Sequence, residues 1–152
     1  MPIESVVVAV GRGDDGDART ARLAHAIVDL AESADPEIVL LCVFARDELE
    51  ELIEQLDFAD PGDADADAVA RRRSVTRRLG DRIEAAGVGY SVRGEVDDDP
   101  AAGIVEVADQ LGADRILVGG RDRTPAGKAV FGSVAQQVLL TADCPVTYVR
   151  AD

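Results

Sequence analysis

Glu4-Ser-Val-Val-Val-Ala-Val10 runs directly into Gly11-Arg-Gly-Asp-Asp-Gly16. The first stretch is a near-continuous β-branched run, the composition of a strand buried on both faces, and the second is a turn-rich loop. A helix is expected next. From Asp17 to about Ala31 the residues Ala21, Ala24, Ile27, Val28 and Ala31 recur at helical spacing and make one apolar stripe. Asp35-Pro36 ends that helix, because the residue before a proline is driven out of helical geometry. Glu37-Ile-Val-Leu-Leu-Cys-Val-Phe44 then reads as a second buried strand.

The same alternation continues to the end of the chain. Asp47 to Phe58 reads as a short acidic helix, 59–67 as a polar loop, about Asp67 to Ala86 as one long helix, and Gly89-Tyr-Ser-Val-Arg-Gly94 as a third strand. Asp97-Asp98-Asp99-Pro100 is a helix start, with an Asp as N-cap, Pro100 in the first turn, and Ile104, Val105, Ala108 and Leu111 as the stripe. Arg115-Ile-Leu-Val-Gly119 is strand four, 120–132 a loop, Ser133 to about Thr141 a helix, and Pro145–Arg150 the last strand. Strands alternating with helices imply an α/β fold, a doubly wound parallel sheet with helices on both faces and right-handed crossovers. A single domain over residues 1–152 is expected, with no internal repeat. In such sheets the ligand crevice lies beyond the carboxyl ends of the strands where strand order reverses, which directs attention to the glycine-rich loops after strands one and four.

Composition narrows the function. The chain has 152 residues and a formal net charge of −14; 20 of its 30 acids are Asp, and its 16 bases are 15 Arg and Lys128. A chain of this length buries roughly two-thirds of its unfolded surface, so neither disulfide nor structural metal is required. Cys42 and Cys144 lie far apart, and with a single histidine, His25, a Cys/His zinc site is excluded. No apolar run approaches the roughly 20 residues of a membrane helix, and no signal peptide is visible, so a soluble cytoplasmic protein is expected. The strong negative field disfavours nucleic-acid phosphates. Self-repulsion of this size opposes compaction unless salt screens it, and at 1 M salt the Debye length is only about 3 Å, so a salt-rich, halophilic cytoplasm is expected.

Gly119-Gly-Arg-Asp-Arg-Thr-Pro-Ala-Gly-Lys-Ala-Val-Phe-Gly-Ser133 has the parts of an anion cradle. Gly119 permits close backbone approach, and Gly132-Ser133 opens a helix whose unpaired N–H groups can meet a phosphate. Ser133 can serve as the N-cap or donate its hydroxyl to a ligand. Arg121, Arg123 and Lys128 supply cations suited to a polyphosphate. A Walker A loop is ruled out, since Gly127-Lys128 is followed by Ala129.

The order of elements, the segment from Gly94 to Gly120, the Gly119-to-Ser133 loop and Cys144-Pro-Val-Thr-Tyr-Val-Arg150 together resemble the universal stress protein family. That resemblance, UspA-like, covers essentially the whole chain and with the composition implies a halophilic archaeal member. It implies a five-stranded sheet of order 3-2-1-4-5 and a homodimer formed through the last strand, here Val146–Arg150. ATP-binding members carry Gly-x-x-Gly, nine residues, then Gly-Ser or Gly-Thr. Here Gly119 matches the first glycine and Gly132-Ser133 the final pair, while Asp122 replaces the middle glycine. Gly11 stands where those members place an aspartate against the nucleoside, and losing such a partner costs on the order of 1–3 kcal/mol. By the resemblance, Ala9 and Val43 would lie near a base, Val118 and Gly119 near a ribose, and Gly132, Ser133 and Val134 at phosphates. Asp122 could hold Mg²⁺ against a phosphate.

Other motifs have plainer readings. Arg71-Arg72-Arg73 with Arg77 and Arg78 is expected to be a solvated helix face, His25 a surface residue, and the two cysteines small core residues. Arg12-Gly13-Asp14 is a chance tripeptide, and Asp63-Ala-Asp-Ala-Asp67 lacks the glycine and closing glutamate of a calcium loop. No catalytic residue and no metal ligand is assigned. The expected function is that of a non-enzymatic stress-response protein binding ATP or a related nucleotide, with a homodimeric interaction module lacking nucleotide as the alternative. A slow ATPase ranks last because no base for activating water stands out.

Overall fold

Val6, Val7 and Val8 are completely buried, as a β-branched run covered on both faces must be. The computed structural model describes residues 3–11, 17–56, 65–119 and 132–150. Within them the elements run β1 (Ser5–Ala9), α1 (Asp17–Ala34), β2 (Glu37–Phe44), α2 (Arg46–Leu56), α3 (Ala66–Arg72), α4 (Ser74–Ala85), β3 (Ser91–Val96), α5 (Pro100–Leu111), β4 (Arg115–Gly119), α6 (Ser133–Thr141) and β5 (Val146–Val149). The strands form one parallel sheet of order β3-β2-β1-β4-β5. Val7 faces Val39 on one side and Ile116 on the other, so β1 is the central strand.

The two-residue period of the strands divides the core. Val6, Val8, Val10, Leu40, Cys42, Phe44 and Leu117 point to the side covered by α1, α3 and α4. Val7, Leu41, Val43, Ile116 and Val118 point to the side covered by α5 and α6. The helix after β1 therefore lies on one face and the helix after β4 on the other, so the covering helices change face beside β1. That is the strand-order reversal at which open α/β sheets form a crevice.

Local chemistry fixes the helices around it. Asp99 caps α5 by accepting from the Ala102 N–H at 3.2 Å, Pro100 occupies the first turn, and Gly112 closes the helix at φ 62°. Gly103 lets α5 press on β2, since a Cβ there would stand 2.8 Å from Val43 Cγ1. At the opposite end of the sheet, Asp114 Oδ2 accepts from the backbone N–H groups of Glu4 and Ser5 at 2.8 and 3.1 Å, tying β1 to β4.

Four sequence expectations are corrected, the first being the α5 stripe, which is Ala101, Ile104, Val107 and Ala108, with Val105 half-buried and Leu111 exposed. The long helix over 67–86 is two helices, α3 and α4, broken at Arg73, whose backbone is extended at φ −66°, ψ 137°. No glycine or proline marks the break; it places the Arg73 guanidinium 5.7 Å from the centre of the Phe44 ring. The third strand runs to Val96 rather than stopping at Gly94. Gly94 lies inside the strand because α3 abuts it: a Cβ would stand 2.0 Å from the Ala66 carbonyl oxygen, and Asp67 Oδ1 accepts from the Gly94 N–H at 2.7 Å. The buried stripe of α1 is Thr20, Leu23, Ala24 and Ile27, while Ala21, Val28 and Ala31 are half-buried.

Candidate functional site

The crevice at the carboxyl end of β1 holds a cavity of about 240 Å³. Its floor comes from strand ends: Ala9, Val10 and Gly11 at the tip of β1, Leu41 and Val43 from β2, and Val118 and Gly119 from β4. The ladder persists to the rim, where the Val10 N–H donates to the Leu41 carbonyl at 2.8 Å. The walls come from both faces of the sheet. Thr20 and Leu23 of α1 with Val75 and Leu79 of α4 form one side, and Pro100 and Ile104 of α5 with Gly132, Ser133, Val134 and Ala135 at the start of α6 form the other.

The described residues proposed from sequence thus meet in one place: Ala9, Gly11, Val43, Val118, Gly119, Gly132, Ser133 and Val134 all line this cavity. Arg121, Asp122, Arg123 and Lys128 lie outside the described residues, as do 12–16 and 57–64 with the Arg12-Gly13-Asp14 tripeptide and most of the acidic loop. One role is corrected. Gly132, not Ser133, is the N-cap of α6, and no side chain makes the cap bond. Ser133 is instead the first helical residue and is exposed at the rim, so the N–H groups of the opening turn have no side-chain acceptor from the cap. The positive end of the α6 dipole therefore faces a wall of mixed apolar side chains, an arrangement able to hold an anionic group attached to an apolar body.

Sequence reasoning missed the α1 and α4 side of the cavity. Arg19, Thr20 and Leu23 enter because α1 turns residues 20, 23 and 24 inward, and a polar residue one turn before an apolar stripe was the available signal. Val75 and Leu79 enter because α4 begins afresh after Arg73.

The remaining candidates behave as ordinary structure. His25 is exposed and lies 3.5 Å from Asp29, one turn away on α1. Cys42 is buried with its Sγ 3.4 Å from Thr76 Oγ1; burial pushes its thiol pKa up, against the opposing effects of Thr76 and Arg73. Burial also raises the half-buried Cys144, reinforced by the charge of Asp109. Neither thiol is tuned for nucleophilic attack. Arg71, Arg72, Arg77 and Arg78 are exposed, while Arg73 is half-buried against Phe44. Among the described residues no cluster of His, Cys, Asp or Glu could hold a metal ion, and no helix is long and apolar enough to cross a membrane.

Known proteins share this architecture. A "Universal stress protein" of Mycolicibacterium smegmatis is 33% identical over 92 residues, 60% of this chain and 71% of that protein. A universal stress protein solved in complex with cAMP superposes with a TM-score of 0.65 at 23% identity, covering 100% of both chains. The universal stress protein from Archaeoglobus fulgidus in complex with dAMP gives a TM-score of 0.63 at 22% identity, covering 98% of this chain and 99% of the other. The model of the universal stress protein family matches residues 2–150, nearly the full length, and this chain belongs to that family.

Proposed function

We propose that this chain is a non-enzymatic stress-response protein, one domain over residues 1–152, that binds ATP or a related adenine nucleotide in the crevice beyond β1. The observation that carries the reading is the convergence of Gly119 and the α6 N-terminus with the apolar strand ends Ala9, Val43 and Val118 on one cavity. Phosphates would meet the opening N–H groups of α6, and the base would lie over the strand ends. Structures of the same fold hold cAMP and dAMP, which supports an adenine nucleotide as the ligand class. Arg121, Arg123 and Lys128 would neutralise the phosphates, and Asp122 would hold Mg²⁺ between itself and one of them. The acidic, lysine-poor composition supports a halophilic archaeal cytoplasm as the setting and argues against nucleic-acid or membrane partners. The test is protection: ATP should raise the Tm of the wild-type protein and leave that of Ser133→Phe unchanged. Equal protection of both would place the ligand elsewhere.

A second reading has its own observation. β5 is an edge strand, Val146–Val149 are half-buried, and Leu139 and Leu140 of the preceding helix are 41% and 72% exposed. A homodimer through Val146–Arg150 would cover that edge, and with Gly11 in the position of the nucleoside-binding aspartate the chain would act through its dimer surface. Light scattering at working concentration distinguishes a dimer from a monomer. A dimer without nucleotide affinity would favour this second reading.

A further inference from the structure

Two polar side chains are buried in the described core, Thr20 at 3% exposure and Thr76 at 2%. They differ in one respect. Thr76 has a partner, the Cys42 sulfur at 3.4 Å. Thr20 Oγ1 has none among the described residues. A helical threonine ordinarily returns its hydroxyl to a carbonyl one turn earlier, and a buried hydroxyl left without any bond is destabilising. Such a cost is retained where the group serves something other than the fold.

Thr20 also lines the crevice, on the same side as Leu23, Val75 and Leu79. This side of the cavity belongs to the α1–α4 face of the sheet, whereas the α6 N-terminus belongs to the other face. A ligand anchored by its anion at α6 and laid across the tip of β1 would bring its far end to Thr20. Across that tip stands Gly11, which offers no side chain.

We propose that the Thr20 hydroxyl recognises the hydrogen-bonding edge of the purine base, supplying from α1 the polar contact that Gly11 cannot. This rests on the nucleotide reading above and deepens it. A hydroxyl both donates and accepts, so it meets either a ring nitrogen or an exocyclic amino group. The apolar neighbours Leu23, Val75 and Leu79 exclude water and strengthen that one bond.

The test pairs Thr20→Val, which replaces the hydroxyl with a methyl of the same shape, with Thr20→Ser, which keeps the hydroxyl. AMP affinity by calorimetry and the Tm of ligand-free protein are measured for both and for the wild type. Thr20→Val should weaken AMP binding about 5- to 10-fold, the effect of one neutral hydrogen bond. Its ligand-free Tm should rise by about 2–4 °C, because a buried unpaired hydroxyl has been removed. Thr20→Ser should keep AMP affinity within about twofold of the wild type. An unchanged AMP affinity in Thr20→Val would overturn this inference and leave the nucleotide reading standing. A lowered ligand-free Tm in Thr20→Val would also overturn it, by showing the hydroxyl to be structural. A wild-type protein that binds no adenine nucleotide would overturn both.

Discussion

Replacing Gly94 by alanine should loosen the α3 side of the sheet. The added Cβ would stand 2.0 Å from the Ala66 carbonyl oxygen, 2.3 Å from its carbon and 2.9 Å from the Asp67 nitrogen, all backbone atoms with no rotamer to yield. α3 or β3 must retreat by more than an ångström, and that retreat breaks the 2.7 Å bond from the Gly94 N–H to Asp67 Oδ1. Overpacking costs about 1–3 kcal/mol and a hydrogen bond to a charged acceptor about 1.5–3 kcal/mol. Because relaxing one partly relieves the other, a total of about 2–4 kcal/mol is expected. With an m-value of about 2 kcal/mol/M in urea, the midpoint should fall by about 1–2 M. Gly89→Ala is the control, since among the described residues a Cβ there meets nothing within 4 Å; it should stay within about 0.5 kcal/mol of the wild type. A Gly94→Ala midpoint equal to that of the control would refute the close seating of α3 on β3.

Four further outcomes follow from the geometry and charge of the chain. Gly119→Ala should leave stability within about 0.5 kcal/mol, because among the described residues its Cβ meets nothing within 4 Å; the methyl should nevertheless lower ATP affinity at least about tenfold by blocking backbone approach, and unchanged affinity would remove Gly119 from the ligand surface. Far-UV circular dichroism should show helix content growing from low to molar KCl as the −14 charge is screened, whereas full folding without salt would exclude the salt-dependent reading. Cys42 should react with a thiol reagent only on unfolding, and Cys144 earlier. Because burial raises both thiols, the folded state keeps protons that the unfolded chain releases, so stability should decline as pH rises past the ordinary thiol pKa of about 8.5. A pH-independent stability there would contradict the assignment.

Much of the architecture was legible because its signals are local. The β-branched run at Val6–Val8 and the apolar run at Ile38–Val43 mark strands buried on two faces, and Asp99-Pro100 and Gly112 bracket α5 with chemistry that has few other uses. The strand order came from the family resemblance and directed attention to the crevice, which Gly119 and Gly132 line. What sequence did not show were effects of tertiary packing. Arg73 leaves the helix to reach Phe44, a residue in a distant strand. Gly94 is a strand residue because another helix lies against it, not because it ends anything. Thr20 escaped notice because an apolar stripe is read from its apolar members, and the polar residue sharing their face looks like a solvent position until the helix is docked.

The most direct measurement is a calorimetric titration of ATP, ADP and AMP, with and without Mg²⁺, at molar KCl on folded protein freed of carried-over ligand. Saturable micromolar binding to the wild type, lost in Ser133→Phe, is the expected result. No heat up to millimolar ATP from protein shown to be folded would contradict nucleotide binding and leave the dimer surface at Val146–Arg150 as the functional part of the molecule.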